Sequence, residues 1–400
     1  MTDTILVLNA GSSSIKFSVH DGSRPTATIL DGQIEGIGVA PRLVATSKAL
    51  ETSAEHRFAS SEVPDHDAAI AKILVWLAEH SGGIRPVAAG HRVVHGGERF
   101  SGPVRIDATV LAEIERLVPL APLHQPHHVA AIRALARIAP DLPQIACFDT
   151  SFHRTQDVLA RSFALPRSLT ARGIRRYGFH GISYEYIASM LDGLAPTLAR
   201  GRTVVAHLGN GASLCAMREG TSVATSMGMT ALDGLVMGTR PGNLDPGVIL
   251  HLMQREGMDA ERIEQLLYHE SGLLGVSGVS SDMRRLLASH EPTAREAIDL
   301  FVHRIVREVG SMAAALGGID GLVFTAGIGE NAPAIRAGVL GGCRWLGFEI
   351  DEAANLRGGP ELTRPGSKAL SFVVATDENS MIARHVRELL RIGSNSTPDE

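Results

Sequence analysis

Ile5-Leu6-Val7-Leu8-Asn9-Ala10-Gly11-Ser12-Ser13-Ser14-Ile15-Lys16-Phe17 is the stretch on which the rest of the chain is read. An apolar run ends in a turn of small hydroxyl residues, and a second strand returns from Ile15. Backbone N–H groups, hydroxyls and one lysine around such a turn can surround an anion such as phosphate. Taken alone, the turn reads equally well as a plain β-hairpin. The design returns far downstream, where Val204-Val205-Ala206 leads into His207-Leu208-Gly209-Asn210-Gly211-Ala212-Ser213 and then Leu214-Cys215-Ala216-Met217. Laid together without gaps, Gly11 falls on Gly209 and Gly22 on Gly220. Two hooks in matching register imply a duplicated domain built around a polyphosphate.

The bulk numbers agree with an α/β enzyme. A chain of 400 residues predicts about two domains. Hydrophobic content of 44% and charge of 20% are ordinary for a globular protein. The 42 glycines gather in short turns beside apolar runs, as ligand-binding loops require. A net charge of −5 with no basic block argues against a nucleic-acid partner. Cys147, Cys215 and Cys343 lie far apart without metal-ligand spacing, and read as reduced core residues. The N-terminus carries Asp3 and enters a strand directly, so no signal peptide is expected. No apolar run reaches the ~18 residues that span a membrane. A cytoplasmic location with no membrane partner follows as the expectation.

The pattern along the chain alternates strands and helices. Residues 24–63 read as further strands of the first sheet. Residues 67–80 follow helical spacing, with Ile70, Ile73, Leu74 and Leu77 on one face, Asp67 as cap and Gly82-Gly83 as stop. Val87-Ala88-Ala89 is a short strand delivering Arg92 and His95 beyond its carboxyl end. A helix spans about Pro126 to Ala139, and Gln144–Phe148 is a strand ending at Asp149. The second half shows strands at 203–206 and 214–217, and helices near 246–256, 259–269 and 293–316. Another strand lies at 322–324, and a last one, Phe372–Ala375, precedes Glu378 and a terminal helix. Polar loops at strand carboxyl ends are where open α/β folds bind ligands.

Several residue sets there carry chemistry. The first hook offers Asn9, Ser12, Ser14 and Lys16 to a phosphate. The low-charge run Thr225–Thr230 closes on Arg240, like a desolvated wall with a cation at its rim. Arg92 ends an apolar strand in the same way, and the two arginines suit a carboxylate or phosphoryl group. The alternative for either is a structural ion pair. His180, flanked by glycine and an aromatic in Tyr177-Gly178-Phe179-His180-Gly181, reads as presented rather than packed. By contrast His66, His80, His251, His269 and His290 read as solvated. Asp149 is a Mg²⁺ anchor, a general base or a helix cap, and Glu378 shares its placement after a strand. Gly327-Ile328-Gly329-Glu330-Asn331 nearly matches a dinucleotide fingerprint, with Glu349 at the ribose-acid distance. A helix N-terminus meeting one end of ATP fits as well.

Read in order, Asn9–Phe17, Arg92–Glu98, Asp149-Thr150-Ser151-Phe152-His153, Arg176–Gly181, His207–Gly211 and Gly327–Asn331 closely resemble the acetokinase family of acetate kinases. That family belongs to the sugar kinase/Hsp70/actin superfamily, and the resemblance covers roughly residues 4–392. It implies two domains of a duplicated ribonuclease H-like, actin/Hsp70-type ATPase fold, with the active site in the cleft between them and closure during turnover. The expected boundaries are 1–150 with about 380–395, then 151–379, and a disordered tail at 393–400. The implied reaction is ATP + acetate ⇌ ADP + acetyl phosphate, serving acetyl-CoA synthesis, with Mg²⁺ (or Mn²⁺), in a cytoplasmic homodimer.

Residue by residue, the resemblance assigns Asn9 and Glu378 to the metal and Lys16 to the ATP phosphates. Arg92 and Arg240 would hold the carboxylate and the transferring phosphoryl group, and His180 would stabilise the transition state. His207, Leu208, Gly209, Asn210 and Gly211, Asp282, Met283 and Arg284, and Gly327, Ile328, Gly329, Glu330 and Asn331 would bind ATP. Val94, Leu123 and Phe179 would line the methyl pocket. The family's aspartate is Asp149. Acetate is already ionised at pH 7 and needs no base, so Asp149 is expected to position Mg²⁺ through water and to orient Arg92. Two positions depart from the family pattern. Ala231 replaces a proline beside the acyl pocket, and Gln125 replaces an asparagine. One methylene discriminates by only about 1–3 kcal/mol, so propionate is expected to react beside acetate. The competing readings are a kinase preferring propionate or another short-chain acid, and a slow or non-catalytic ATPase module of the same superfamily.

Overall fold

The computed structural model describes residues 3–24, 27–47, 52–80 and 85–392. The expected Gly82-Gly83 stop and the tail at 393–400 lie outside them. The chain divides into two compact units, Met1–Ser151 with Asp377–Glu400, and Phe152–Thr376.

The first unit is an eight-stranded sheet. Its strands are β1 (Thr4–Ala10), β2 (Ser14–Asp21), β3 (Thr28–Glu35), β4 (Arg42–Ser47), β5 (Thr52–Arg57), β6 (Pro86–Val93), β7 (Val104–Arg105) and β8 (Gln144–Phe148). They run in the order β5-β4-β3-β2-β1-β6-β8-β7. Strand β1 is central, antiparallel to β2 and parallel to β6. Buried on both faces, it has the continuous apolar run such a position demands. Ile5, Leu6, Val7 and Leu8 are almost fully buried, each contributing about 1.5–3 kcal/mol. The helices His66–His80 and Gln125–Ile138 supply Ile70, Ile73, Leu77 and Ala131, Ala134, Leu135 to one core with this sheet. The first helix is capped by Asp65, whose Oδ1 accepts from Ala68 N, and not by Asp67, which pairs with Arg137. The terminal helix Glu378–Leu390 returns to this unit and seats Ile382 and Val386 against Gly90 of β6. A Cβ on Gly90 would lie 2.5 Å from the Ile382 side chain, so a residue without one is required there.

The second unit is built on β9 (Arg202–Leu208), β10 (Ala212–Arg218), β11 (Thr221–Thr225), β12 (Gly321–Thr325) and β13 (Leu370–Val373), in the order β11-β10-β9-β12-β13. Three antiparallel strands continue into two that are parallel to β9. The run β3-β2-β1-β6-β8 of the first sheet has the same directions and connectivity. The duplication is therefore present in the hydrogen-bonded topology itself. Tyr184, Ile187 and Leu191 of the helix Gly181–Leu194 pack on one face, and the long helix Pro292–Leu316 packs against β9, β10 and β11. All three cysteines are buried and in no disulfide. Burial pushes the Cys215 and Cys343 thiols up to about 12, so both stay protonated and inert. Among the described residues no helix is long and apolar enough to cross a membrane.

Candidate active site

In the first unit, the register pairs Asn9 of β1 with Lys16 of β2. Gly11 N donates to Ser14 O at 2.7 Å and closes the turn. Ser12 and Lys16 are exposed, and Ser14 and Asn9 half-buried, so the polar groups expected at a phosphate are open to it. His66 was expected in solvent. Instead its Nε2 lies 2.7 Å from the Gly11 carbonyl, and its ring stacks on His127. The turn is thus braced from behind by a residue 55 positions away, a contact that no local pattern signals.

Strand β6 runs further than expected and carries Arg92 within it, paired in register with Cys147 of β8. Asp149 follows β8 directly. Arg92 Nε donates to Asp149 Oδ1 at 3.0 Å and Nη2 to Oδ2 at 2.7 Å. Glu378 Oε2 lies 3.7 Å from the same Nε. Glu378 opens the terminal helix rather than ending a strand, because β13 stops at Val373 and Asp377 caps the turn. Asp149 is only 1% exposed. Burial opposes the Arg92 charge, but the two carboxylates more than offset it and hold the guanidinium above its ordinary pKa. Among the described residues, Arg92 Nη1 takes no protein partner, which leaves it for an anion. Val94 is buried and Leu123 half-buried in the loops beyond β6 and before the helix at 125. Gln125 is fully buried. Its amide accepts from His95 N and donates to the His95 and Ile114 carbonyls. It therefore ties two backbone segments together through its side-chain amide.

In the second unit, Gly209 N donates to Gly211 O at 3.0 Å, and His207 pairs in register with Ser213. His180 was expected to be presented. It is half-buried and stacks on His207, with centroids 4.1 Å apart and planes 14° apart. Its Nδ1 is 2.8 Å from Ser213 Oγ, and His207 Nδ1 is 2.9 Å from Ser183 Oγ. His180 holds a left-handed φ of 58°, a strained conformation for a residue with a Cβ. Phe179 is buried, and its carbonyl accepts from His153 Nε2. A Cβ on Gly211 would stand 2.8 Å from Arg240 Nη2 and 3.2 Å from His180 Nε2, so both nitrogens overhang this glycine. Arg240 Nη1 donates to the Ala231 carbonyl at 2.7 Å. This contact uses the backbone of residue 231 and not its side chain. Arg240 makes no ion pair among the described residues, and burial lowers its pKa. A partly buried guanidinium without a counter-ion is suited to an anion. The wall at 225–230 is held by Arg176 as well, whose Nη1 donates to Ser226 O, Met227 O and Asp233 Oδ2. Sequence reading gave that arginine no role.

Three segments far apart in sequence meet at one cavity of about 790 Å³ in this unit. Its lining takes Gly209 and Asn210 from the hook, Ser281, Asp282, Met283, Arg284 and Leu287, and Gly327, Ile328, Asn331 and Ala332. Its size is that of small-molecule and cofactor sites. Asn210 is wedged against Gly238, where a Cβ would fall 2.0 Å from its Oδ1. Asp282 and Arg284 hold each other, with Nη2 2.6 Å from Oδ2, and this pairing draws the Asp282 carboxyl down to about 2. Other residues expected at a nucleotide stand behind the lining. Leu208 is fully buried, Gly329 O accepts from Arg336, and Glu330 Oε1 accepts from Thr376 N. Gly327 and Gly329 belong to the short helix Ala326–Asn331 that follows β12. Glu349 is exposed and outside the lining, so the dinucleotide reading of that segment fails.

The family model for the acetokinase family matches residues 4–384. The chain belongs to the acetokinase family. An acetate kinase of Rhodopseudomonas palustris (strain ATCC BAA-98 / CGA009) is 53% identical over 395 residues, covering 97% of this chain and 99% of the relative. The crystal structure of Porphyromonas gingivalis acetate kinase superposes with a TM-score of 0.88 at 37% identity, covering 97% of this chain and all of that one. A propionate kinase from Francisella tularensis subsp. tularensis SCHU S4 superposes at 0.91 and 37% identity, covering 96% and 99%. Fold and family agree: this is a kinase of the actin/Hsp70/sugar kinase-like ATPase fold. Within that fold, the cavity sits beside the short helix after β12, at the carboxyl end of a parallel strand.

Proposed function

We propose that this acetokinase-family kinase moves the γ-phosphoryl group of ATP reversibly onto the carboxylate of acetate, giving acetyl phosphate and ADP. The observation that supports this most is the single cavity joining residues 209–210, 281–284 and 327–332, which suits a nucleotide. Identity of 53% with an acetate kinase supports the acceptor.

The proposed chemistry brings two anions together, so opposing charge is its main requirement. From the first unit, Lys16 faces the ATP phosphates and Arg92 the carboxylate. From the second, Arg240 and His180 meet the transferring phosphoryl group. Each charge-assisted bond stabilises by about 1.5–3 kcal/mol. Asp149 acts as a positioning group, fixing the plane of Arg92 through two hydrogen bonds. Its bidentate engagement leaves it poorly placed as a proton acceptor, which an ionised carboxylate substrate does not need. Val94, Leu123 and Phe179 provide the apolar surface for the methyl group.

Among the described residues no cluster of three or more His, Cys, Asp or Glu side chains could hold a metal. Mg²⁺ asks for less, one or two protein oxygens with phosphates and water completing the shell. The Asn9 amide and the Glu378 carboxylate are such donors. Bound there, Mg²⁺ would neutralise phosphate charge. Exposed Leu244, Val248, Leu250 and Met253 support a homodimer, and a cytoplasmic location accompanies the reading.

The test is acyl-phosphate formation, trapped as hydroxamate, with acetate, propionate and butyrate, on wild type, Arg92→Ala and Asp149→Asn. The expected result is highest kcat/KM with acetate and about 10²–10³-fold loss in either variant. Acid-independent ATP hydrolysis without acyl phosphate would instead support an ATPase module.

A further inference from the structure

Ser213 is fully buried in β10, and its hydroxyl touches two side chains, His180 Nδ1 at 2.8 Å and Tyr184 Oη at 2.5 Å. Tyr184, on the helix Gly181–Leu194, is also fully buried, and among the described residues its hydroxyl meets only Ser213. Burial keeps the phenol protonated by pushing its pKa well above the ordinary value. The chain Tyr184–Ser213–His180 therefore joins two fully buried hydroxyls to one nitrogen of a half-buried ring.

One arrangement satisfies every member. Tyr184 donates to Ser213 Oγ, Ser213 donates to His180 Nδ1, and the neutral ring carries its own proton on Nε2. Were that proton on Nδ1, it would donate to Ser213. Either the serine or the tyrosine O–H would then be left buried without an acceptor, which folded proteins avoid. Nε2 is the nitrogen that overhangs Gly211 beside Arg240 Nη2.

We infer that Tyr184 and Ser213 are positioning residues that fix the neutral His180 tautomer, so that its Nε2–H and the Arg240 guanidinium donate toward the same place. The consequence for phosphoryl transfer rests on the reading of His180 given above. The tautomer itself does not.

The experiment is ¹⁵N spectroscopy of the histidine ring nitrogens at pH 8 in the full-length wild type, Tyr184→Phe and Ser213→Ala, with the His180 signals assigned by their loss in His180→Asn. Acyl-phosphate kinetics are measured on the same proteins. The wild type is expected as the Nε2–H tautomer, and both variants as a mixture or as Nδ1–H. In both, kcat is expected to fall about tenfold, the scale for removing the partner that orients a functional imidazole, with KM for ATP and acetate nearly unchanged. An Nδ1–H or doubly protonated ring in the wild type overturns the inference, and that spectrum needs no variant to fold. Identical spectra in all three proteins, or altered tautomers with unaltered kcat, overturn it too. A wild type that forms no acyl phosphate yet shows the Nε2–H tautomer refutes the proposed reaction and leaves the tautomer assignment standing.

Discussion

Strands β1 and β2 close their hook with residues 11–14, whereas β9 and β10 close theirs with residues 209–211. The gap-free alignment of the two copies holds along the first strand of each, where Thr4 matches Arg202 and Ala10 matches Leu208. Beyond the turn it slips by one residue. Lys16 is the partner of Asn9, and the partner of His207 is Ser213, not Leu214. A one-residue slip exchanges the faces of a strand, so the sequence match alone would have set a lysine against a leucine on the wrong side. With the register corrected, the same row of the fold carries an amide and an exposed cation in one copy. In the other it carries an imidazole and a buried hydroxyl. The shorter turn turned a charge-bearing position inward and made it a support for His180.

That contrast predicts different kinetic failures. Lys16→Ala removes the only side-chain cation of the first hook and should lower kcat for acyl-phosphate formation by about 10²-fold. An effect confined to KM for ATP would show that the first hook only holds the nucleotide. Gly238→Ala places a methyl group where Asn210 Oδ1 now lies. It should raise KM for ATP about tenfold, as expected for displacing a side chain from a binding wall, with little change in kcat. If both substitutions act on the same constant, the division of labour between the hooks is wrong.

The last prediction concerns stability. His91 and His95 in the first unit, and His153 in the second, are buried and held neutral, each lowered from 6.5 to about 4 by desolvation. Since unfolding lets each bind a proton, their stability contribution is intact above about pH 6.5. It is lost as pH falls toward 4, by up to roughly 3 kcal/mol per histidine. The first unit, which also holds His128 well below its ordinary value, should fail first. Trp76 is buried in that unit and Trp345 is 70% exposed in the other. A red shift of Trp76 emission during acid titration should therefore precede loss of cavity-bound nucleotide. Simultaneous loss of both would deny the units separate acid sensitivities.

Much of the site was legible because its residues sit in short local signatures. Asp149 at a strand end, the glycine turn at 209–211 and the glycine-rich segment 327–329 after a strand were readable from neighbours in sequence, whereas Arg92 was read beyond its strand and lies within it. His66 bracing Gly11, Arg176 capping the wall at 225–227 and Gln125 bridging His95 to Ile114 were not. Their partners lie 55, 50 and 11–30 residues away. Long polar side chains take whatever carbonyl the packed backbone brings near, and local pattern carries no record of that.

The sequence by itself determined that there would be two matching hairpin turns in a duplicated α/β chain, because alternation, turn chemistry and glycine placement act over a few residues. Tertiary structure decided which side chains those hooks became. Register across a turn, convergence of three segments on one cavity and the hydrogen-bond partners of the His180 ring depend on which groups are buried, paired and opposed, and those conditions exist only once the chain is packed.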